Sequence, residues 1–184
     1  MDSYQDIRVL PDPKFQEPML MAALFAKLHR ALGARGEGDI GISFPHHGKT
    51  PGGTIRLHGT HDALTALEAM RWRAGLNDYC AASALALVPT DCGWRTVERV
   101  QVKSNAARLM RRSVRKGWLT EEEAEQRIQE MKSHTTDLPF LQLKSLSTGQ
   151  PFRLFIRHGD IQPERRSGTF SSYGLSATAT VPWF

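Results

Sequence analysis

Apolar and polar positions follow two distinct rhythms in the first third of the chain. From Tyr4 to Leu10 the apolar Ile7 and Val9 alternate with charged neighbours, and Pro11 and Pro13 end the run, which predicts an opening strand. Between Pro18 and Leu32 the period lengthens. Met21, Leu24, Phe25, Leu28, Ala31 and Leu32 fall on one helical face, and Gly33 reads as the stop. Two short strands are predicted at Ile40 to Phe44 and Thr54 to His58, joined by a Pro/Gly/His loop, and a second helix at His61 to Met70. Ala84 to Val88 then closes the set as a strand. The order strand, helix, strand, strand, helix, strand is that of a ferredoxin-like domain, the plan of RNA-recognition modules.

Beyond Thr90 to Gly93 the character changes. Trp94 to Val102 alternates as a strand, and a helix is predicted from Ala106 to Lys116, capped by Ser104 or Asn105 and ended by Gly117. Thr120 and Glu123 have the spacing of a capping box at the start of a further helix. Phe140 to Leu146, Pro151 to Arg157 and Thr169 to Tyr173 read as strands of a smaller sheet. The expected architecture is therefore α+β, with a ferredoxin-like (RRM-like) domain over residues 1–92 and a smaller α+β domain over 93–184 that carries an arginine-rich helix.

Composition narrows the class. Lys and Arg outnumber Asp and Glu by 24 to 19, with the excess in the second half, which favours a polyanionic partner. Cys80 and Cys92 are too few and too far apart for a disulfide framework or a CxxC zinc site, and both read as reduced thiols of a cytoplasmic protein. No basic cap precedes an apolar run at the N-terminus, and no segment approaches the ~20 apolar residues of a membrane span, so neither a signal peptide nor a membrane partner is expected.

The predicted basic helix carries the strongest chemical signal. Arg108, Arg111, Arg112 and Arg115 lie at i, i+3, i+4 and i+7, with Lys116 at the margin and Leu109, Met110 and Val114 on the opposite side. From Arg95 to Lys116 there are eight basic residues and the single acid Glu98, whereas a merely solvated helix face interleaves both signs. An RNA hairpin opens its deep major groove near its ends and can admit one thin helix, and the guanidinium fork can hold two phosphate oxygens or a guanine edge.

His29 sits at the border of the apolar face of the first helix, one turn after Phe25, where packing can hold a ring that still reaches a substrate. Alone, such a histidine also fits a structural role. The acids are scattered through capping and solvated positions, and the adjacent His46 and His47 have no third ligand nearby in sequence, so no metal and no other cofactor is expected. RNA brings its own nucleophile in the 2′-hydroxyl, for which proton transfer and charge stabilisation can suffice. Ser145, Ser147, Thr148 and Gly149 form a hydroxyl-rich turn suited to a phosphate or a 2′-hydroxyl, although the same residues also make an ordinary turn. Tyr173 offers a further donor.

Several segments together resemble one known family. They are Tyr4-x-Asp6-Ile7-Arg8 with Pro11-Asp12-Pro13, Leu24-Phe25-x-Lys27-Leu28-His29, Arg99-Val100-Gln101-x-Lys103-Ser104-Asn105, and Ser147-Thr148-Gly149-Gln150 before Phe152 to Gly159. Tyr173-Gly174-Leu175-Ser176 and Val181-Pro182-Trp183-Phe184 carry the match to the last residue. In collinear order across the chain these are similar to the type I-F CRISPR repeat-processing endoribonucleases. The resemblance implies a ferredoxin-like N-terminal domain and metal-independent cleavage of precursor RNA at the base of the repeat hairpin, by 2′-hydroxyl attack that leaves a 2′,3′-cyclic phosphate. It implies proton transfer by His29, positioning of the 2′-hydroxyl by Ser145 and a supporting role for Tyr173. It further implies base reading by Arg99 and Gln101, stacking by Phe152 below the last pair and groove binding by the arginine face, while Ser147 and Thr148 of the hydroxyl-rich turn are expected to contact the RNA. The expected partners are the repeat stem-loop, as precursor and as mature crRNA, and the subunits of the type I-F surveillance complex. Two positions depart from the family pattern: the loop from His46 to Gly53 is short, and Gly117 stands where the basic helix tends to continue. The rival readings are a hairpin-binding subunit without cleavage and a DNA-binding protein that uses Arg108 to Lys116 as a recognition helix.

Overall fold

The computed structural model describes residues 1–101, 106–132, 136–145 and 147–184. Its contacts form two compact units, Met1–Val100 with Leu138–Phe184, and Gln101–Asp137. The larger unit opens with β1 (Ser3–Val9), α1 (Glu17–Arg35), β2 (Gly41–Ser43), β3 (Thr54–Gly59), α2 (His61–Ala69), β4 (Cys80–Ala82) and β5 (Ala86–Leu87). β1 is central in an antiparallel sheet, with β3 and then β2 on one side and β4 and β5 on the other. That is the ferredoxin-like order, in the expected α+β class. The apolar face of α1 buries Leu20, Met21, Leu24, Phe25, Leu28, Ala31 and Leu32 in a core shared with Ile7, Ile42, Phe44, Ile55 and Leu57. Each large side chain so buried stabilises the fold by roughly 1.5–3 kcal/mol.

Two boundaries in this half differ from the sequence reading. α1 does not stop at Gly33 but runs on to Arg35, and Gly36, in the left-handed region at φ 70°, donates its amide to the Leu32 carbonyl. Inside a helix packed on a core, Gly33 is tolerated. Of the strand expected over Ala84 to Val88 only β5 at Ala86–Leu87 forms, and β4 at Cys80–Ala82 precedes it as a separate short strand, because five residues from Ala82 to Ala86 lie opposite only four of β1, from Ile7 to Tyr4. The extra residue bulges, and Ser83 fills the break: its amide donates to the Asp6 carbonyl and its hydroxyl accepts from the Asp6 amide.

A second sheet is built from β6 (Gly93–Val100), β7 (Phe140–Lys144), β8 (Pro151–His158) and β9 (Ser176–Trp183), in the order β7-β8-β6-β9. The boundary expected at residue 92 falls between the two sheets, while the contacts group both sheets together and set Gln101–Asp137 apart. Thr169 to Tyr173 is not a strand. It forms a loop and turn in which the buried Phe170 donates its amide to Gly38, Ser171 to Leu175, and Gly174 to Ser171. The strand lies just after it, in β9, where four consecutive buried residues from Ala179 to Pro182 hide the alternation that marks a strand. β9 is an edge strand, which accommodates Pro182.

The smaller unit holds α3 (Ala106–Arg115) and α4 (Glu121–Lys132), packed on each other. The capping box is made as expected: the Glu123 amide donates to the Thr120 hydroxyl and the Thr120 amide to the Glu123 carboxylate. Arg111, Arg112, Arg115 and Lys116 are exposed, whereas Met110 and Val114 are half-buried. Arg108 lies on α3, and the cap expected at Ser104 or Asn105 lies outside the described residues. Among the described residues no helix is long and apolar enough to cross a membrane. Cys80 and Cys92 are free thiols, the first buried and the second half-buried.

His58 is the most deeply buried titratable group of the first sheet. Its Nε2 pairs with the Ser43 hydroxyl at 2.8 Å, and burial, with Arg56 nearby, pushes its pKa down to about 3. The folded protein thus holds this ring neutral while the unfolded chain protonates it near pH 6.5. Its contribution to stability is full above that pH and declines on acidification towards pH 3, by up to ~1.4 kcal/mol per pH unit. Urea unfolding at pH 7.5, 5.5 and 4.5 should show this loss, and His58→Gln should reduce its slope. A pH-independent midpoint would contradict the buried neutral ring.

Candidate active site

α1 presents Phe25 and His29 one turn apart, and the turn before β9 brings Tyr173 against both. The rings of His29 and Tyr173 stack at 4.0 Å with an interplanar angle of 4°, and Phe25 lies parallel to Tyr173 at 6.2 Å. His29 Nδ1 is 2.9 Å from the Ser172 carbonyl, which can only accept, so Nδ1 carries a proton. In the neutral ring Nε2 is then left with its lone pair. Gly174, at φ 69°, closes the turn where a Cβ would run into Ile42.

His29 and Tyr173 face a cleft of about 500 Å³ that is also lined by Ala26, Arg99, Lys144, Ser145, Ser147, Thr148, Gln150 and Phe152. The hydroxyl turn joins β7 to β8. Ser145 binds Gln150 through its amide and Gly149 through its carbonyl, which pins the ends of the turn. Its hydroxyl sits 3.1 Å from that of Ser147 and accepts from the Thr148 amide at 3.3 Å. Arg99 extends from β6 with its guanidinium 5.5 Å above the Tyr173 ring and 5.8 Å from that of Phe152. The charged side chains lining the cleft are therefore cationic, Arg99 and Lys144, and its polar groups are suited to moving protons and holding an anion. Among the described residues no three His, Cys, Asp or Glu side chains converge as a metal site.

Of the residues singled out in the sequence, the cleft thus unites His29, Arg99, Ser145, Ser147, Thr148, Phe152 and Tyr173. Gln101 is exposed, at the start of the smaller unit that also holds Arg108, Arg111, Arg112, Arg115 and Lys116. Lys144 and Gln150 also join the cleft, the first not singled out in the sequence and the second part of a family motif without a role of its own. Both flank the hydroxyl turn, and the β7 alternation, with Phe140, Gln142 and Lys144 outward, is the signal that places Lys144 at the rim. The histidine pair of the loop does not act together. His47 donates from Nδ1 to the Phe44 carbonyl and stacks on His158 at 3.7 Å, while His46 is exposed. His158 accepts the Phe44 amide at Nε2, and burial, then the neighbouring His47 and Arg95, push its pKa down to about 3.

Residues 4–184 match the family model described as CRISPR-associated protein (Cas_Csy4). The chain belongs to the Cas_Csy4 family. It is 64% identical over 184 residues to the CRISPR-associated endonuclease Cas6/Csy4 of Escherichia coli (strain UTI89 / UPEC), across the whole of both chains. To the CRISPR-associated endonuclease Cas6/Csy4 of Pseudomonas aeruginosa (strain UCBPP-PA14) it is 48% identical over 187 residues, again over the full length of each. The resemblance read from the sequence motifs is thereby established at the level of the family, and the chain is an enzyme of this Cas_Csy4 endonuclease group.

Proposed function

We propose that this protein cleaves CRISPR precursor RNA at the base of the repeat hairpin, without a metal ion, and keeps the processed hairpin bound. The observation that carries the reading is His29: Nδ1 is tied to the Ser172 carbonyl and the ring is clamped on Tyr173 in a cationic, hydroxyl-lined cleft. The substrate 2′-oxygen attacks the adjacent phosphorus, the bond to the 5′-oxygen breaks, and the products are a 2′,3′-cyclic phosphate and a 5′-hydroxyl. The neutral ring offers a lone pair at Nε2 to take the 2′-hydroxyl proton, and the protonated ring can return one to the leaving 5′-oxygen. Ser145 orients the 2′-hydroxyl, with Ser147 and Thr148 holding the phosphate beside it. Tyr173 fixes the imidazole plane by stacking.

Recognition is divided between the two units. Phe152 stacks below the last base pair, Arg99 and Gln101 read base edges there, and Arg108, Arg111, Arg112, Arg115 and Lys116 track the phosphates of the groove. The retained hairpin makes the protein a subunit of the type I-F surveillance complex, acting in the cytoplasm. The test is incubation with the repeat hairpin RNA in EDTA. A single cut at the stem base with a cyclic phosphate end is expected. Tight binding without cleavage would instead make the chain a hairpin-holding subunit, and equal affinity for the DNA version of the hairpin would return it to a DNA-binding role.

The arginine face makes a separate, salt-dependent contribution. Arg112→Ala or Arg115→Ala should weaken hairpin binding and reduce the slope of log affinity against log salt by roughly 0.7 to 0.9 for each phosphate no longer neutralised. Filter binding from 50 to 400 mM salt measures this, and an unchanged slope would remove these arginines from the RNA backbone.

A further inference from the structure

A second, larger groove of about 690 Å³ runs beside the cleft, between the first turns of α1, the loop at Lys49 to Gly52 and the outer face of β7. It lies within the range of small-ligand sites, about 300–1,000 Å³. Ala26, Leu143 and Lys144 line both cavities, so the groove begins where the cleft ends. Its surface is mostly apolar, with Met19 exposed at 59% and Phe140 at 36%. The Phe140 ring already carries the Arg153 guanidinium at 4.6 Å. Lys49 and Lys144 provide positive charge, and Glu17 is the carboxylate at its wall. Apolar walls flanked by lysines suit an unpaired nucleotide, with its base inside and its phosphate at the rim.

Resting on the endoribonuclease reading above, we infer that this groove holds the unpaired nucleotide immediately downstream of the scissile phosphate. With the hairpin stem ending at Phe152 and the reacting phosphate at His29, the downstream strand leaves the cleft past Lys144, into the groove. The base lies against Met19 and Phe140, and Glu17 accepts from a base amino group. Anchoring this nucleotide fixes the direction of the leaving 5′-oxygen, which must stand opposite the attacking 2′-oxygen, so the groove acts on the reaction through geometry.

The test compares repeat hairpins that carry one downstream nucleotide, either normal or abasic, in all-ribo form for single-turnover cleavage and with a 2′-deoxy sugar at the attacking position for affinity. Wild-type protein should cut the abasic RNA ~10-fold more slowly, the scale of one base stacked on an aromatic ring, and bind its deoxy form more weakly. Met19→Asp and Phe140→Ala should each bring the normal RNA down to the abasic rate, without changing affinity for the product hairpin, which lacks the downstream nucleotide. Equal rates and affinities for normal and abasic RNA in the wild type would overturn the inference, whether or not either variant folds. Loss of product-hairpin affinity in both variants would overturn it too. Variants that match wild type on every RNA but no longer copurify with surveillance-complex subunits would assign the groove to a protein partner instead. If the wild type cuts neither RNA, the endoribonuclease reading fails, and the two deoxy affinities still decide the groove.

Discussion

Alanine in place of His29 is expected to slow single-turnover cleavage by ~10²- to 10⁴-fold and to leave hairpin affinity nearly unchanged. The ring is half-buried at the rim of α1, tied to Ser172 and stacked on Tyr173, so it is held by the protein before any RNA arrives. Its free edge faces the cleft, where proton transfer matters in the transition state and adds little to ground-state binding. Removing it therefore lowers the rate constant rather than the affinity. Ser145→Ala should act in the same direction if its hydroxyl orients the nucleophile. Gel-shift affinity beside single-turnover rates separates the outcomes, and a comparable loss in both quantities for His29→Ala would move this residue from chemistry to recognition.

How much of this is legible in the sequence depends on the range of the interaction. The period of α1, the capping box at Thr120 and the basic face of α3 are local patterns, and the structure reproduces them. The stop of α1 differs because two glycines stand three residues apart: Gly33 keeps helical backbone, and Gly36, in the left-handed region, ends the helix. The strand expected at Thr169 to Tyr173 is absent because a turn holds its apolar Phe170 and Tyr173 against the core, while β9 hides among small Ala and Thr residues at a sheet edge. For the site, His29 is visible as a border residue of the apolar face. Its hydrogen bond to Ser172 joins positions 143 residues apart, and no local period encodes that contact. The family motifs imply roles for single residues and not that contact, and the fold brings seven of the named residues to one cleft. Lys144 and Gln150 carry no role that the motifs imply; the β7 alternation turns Lys144 outward, and the hairpin between β7 and β8 puts both at the cleft.

The second large effect concerns one oxygen atom of the substrate. If the 2′-hydroxyl is the nucleophile, a hairpin with a single 2′-deoxy sugar just upstream of the scissile phosphate keeps its stem, phosphates and base edges and lacks only the attacking group. A metal-activated water would not need that group. The decisive measurement is therefore affinity and single-turnover cleavage of the all-ribo and single-deoxy hairpins, each in EDTA and in magnesium. The predicted result is near-equal affinity for both RNAs, cleavage of the all-ribo hairpin in either buffer, and no cleavage of the deoxy hairpin in either. Cleavage of the deoxy hairpin in EDTA or in magnesium would contradict the mechanism.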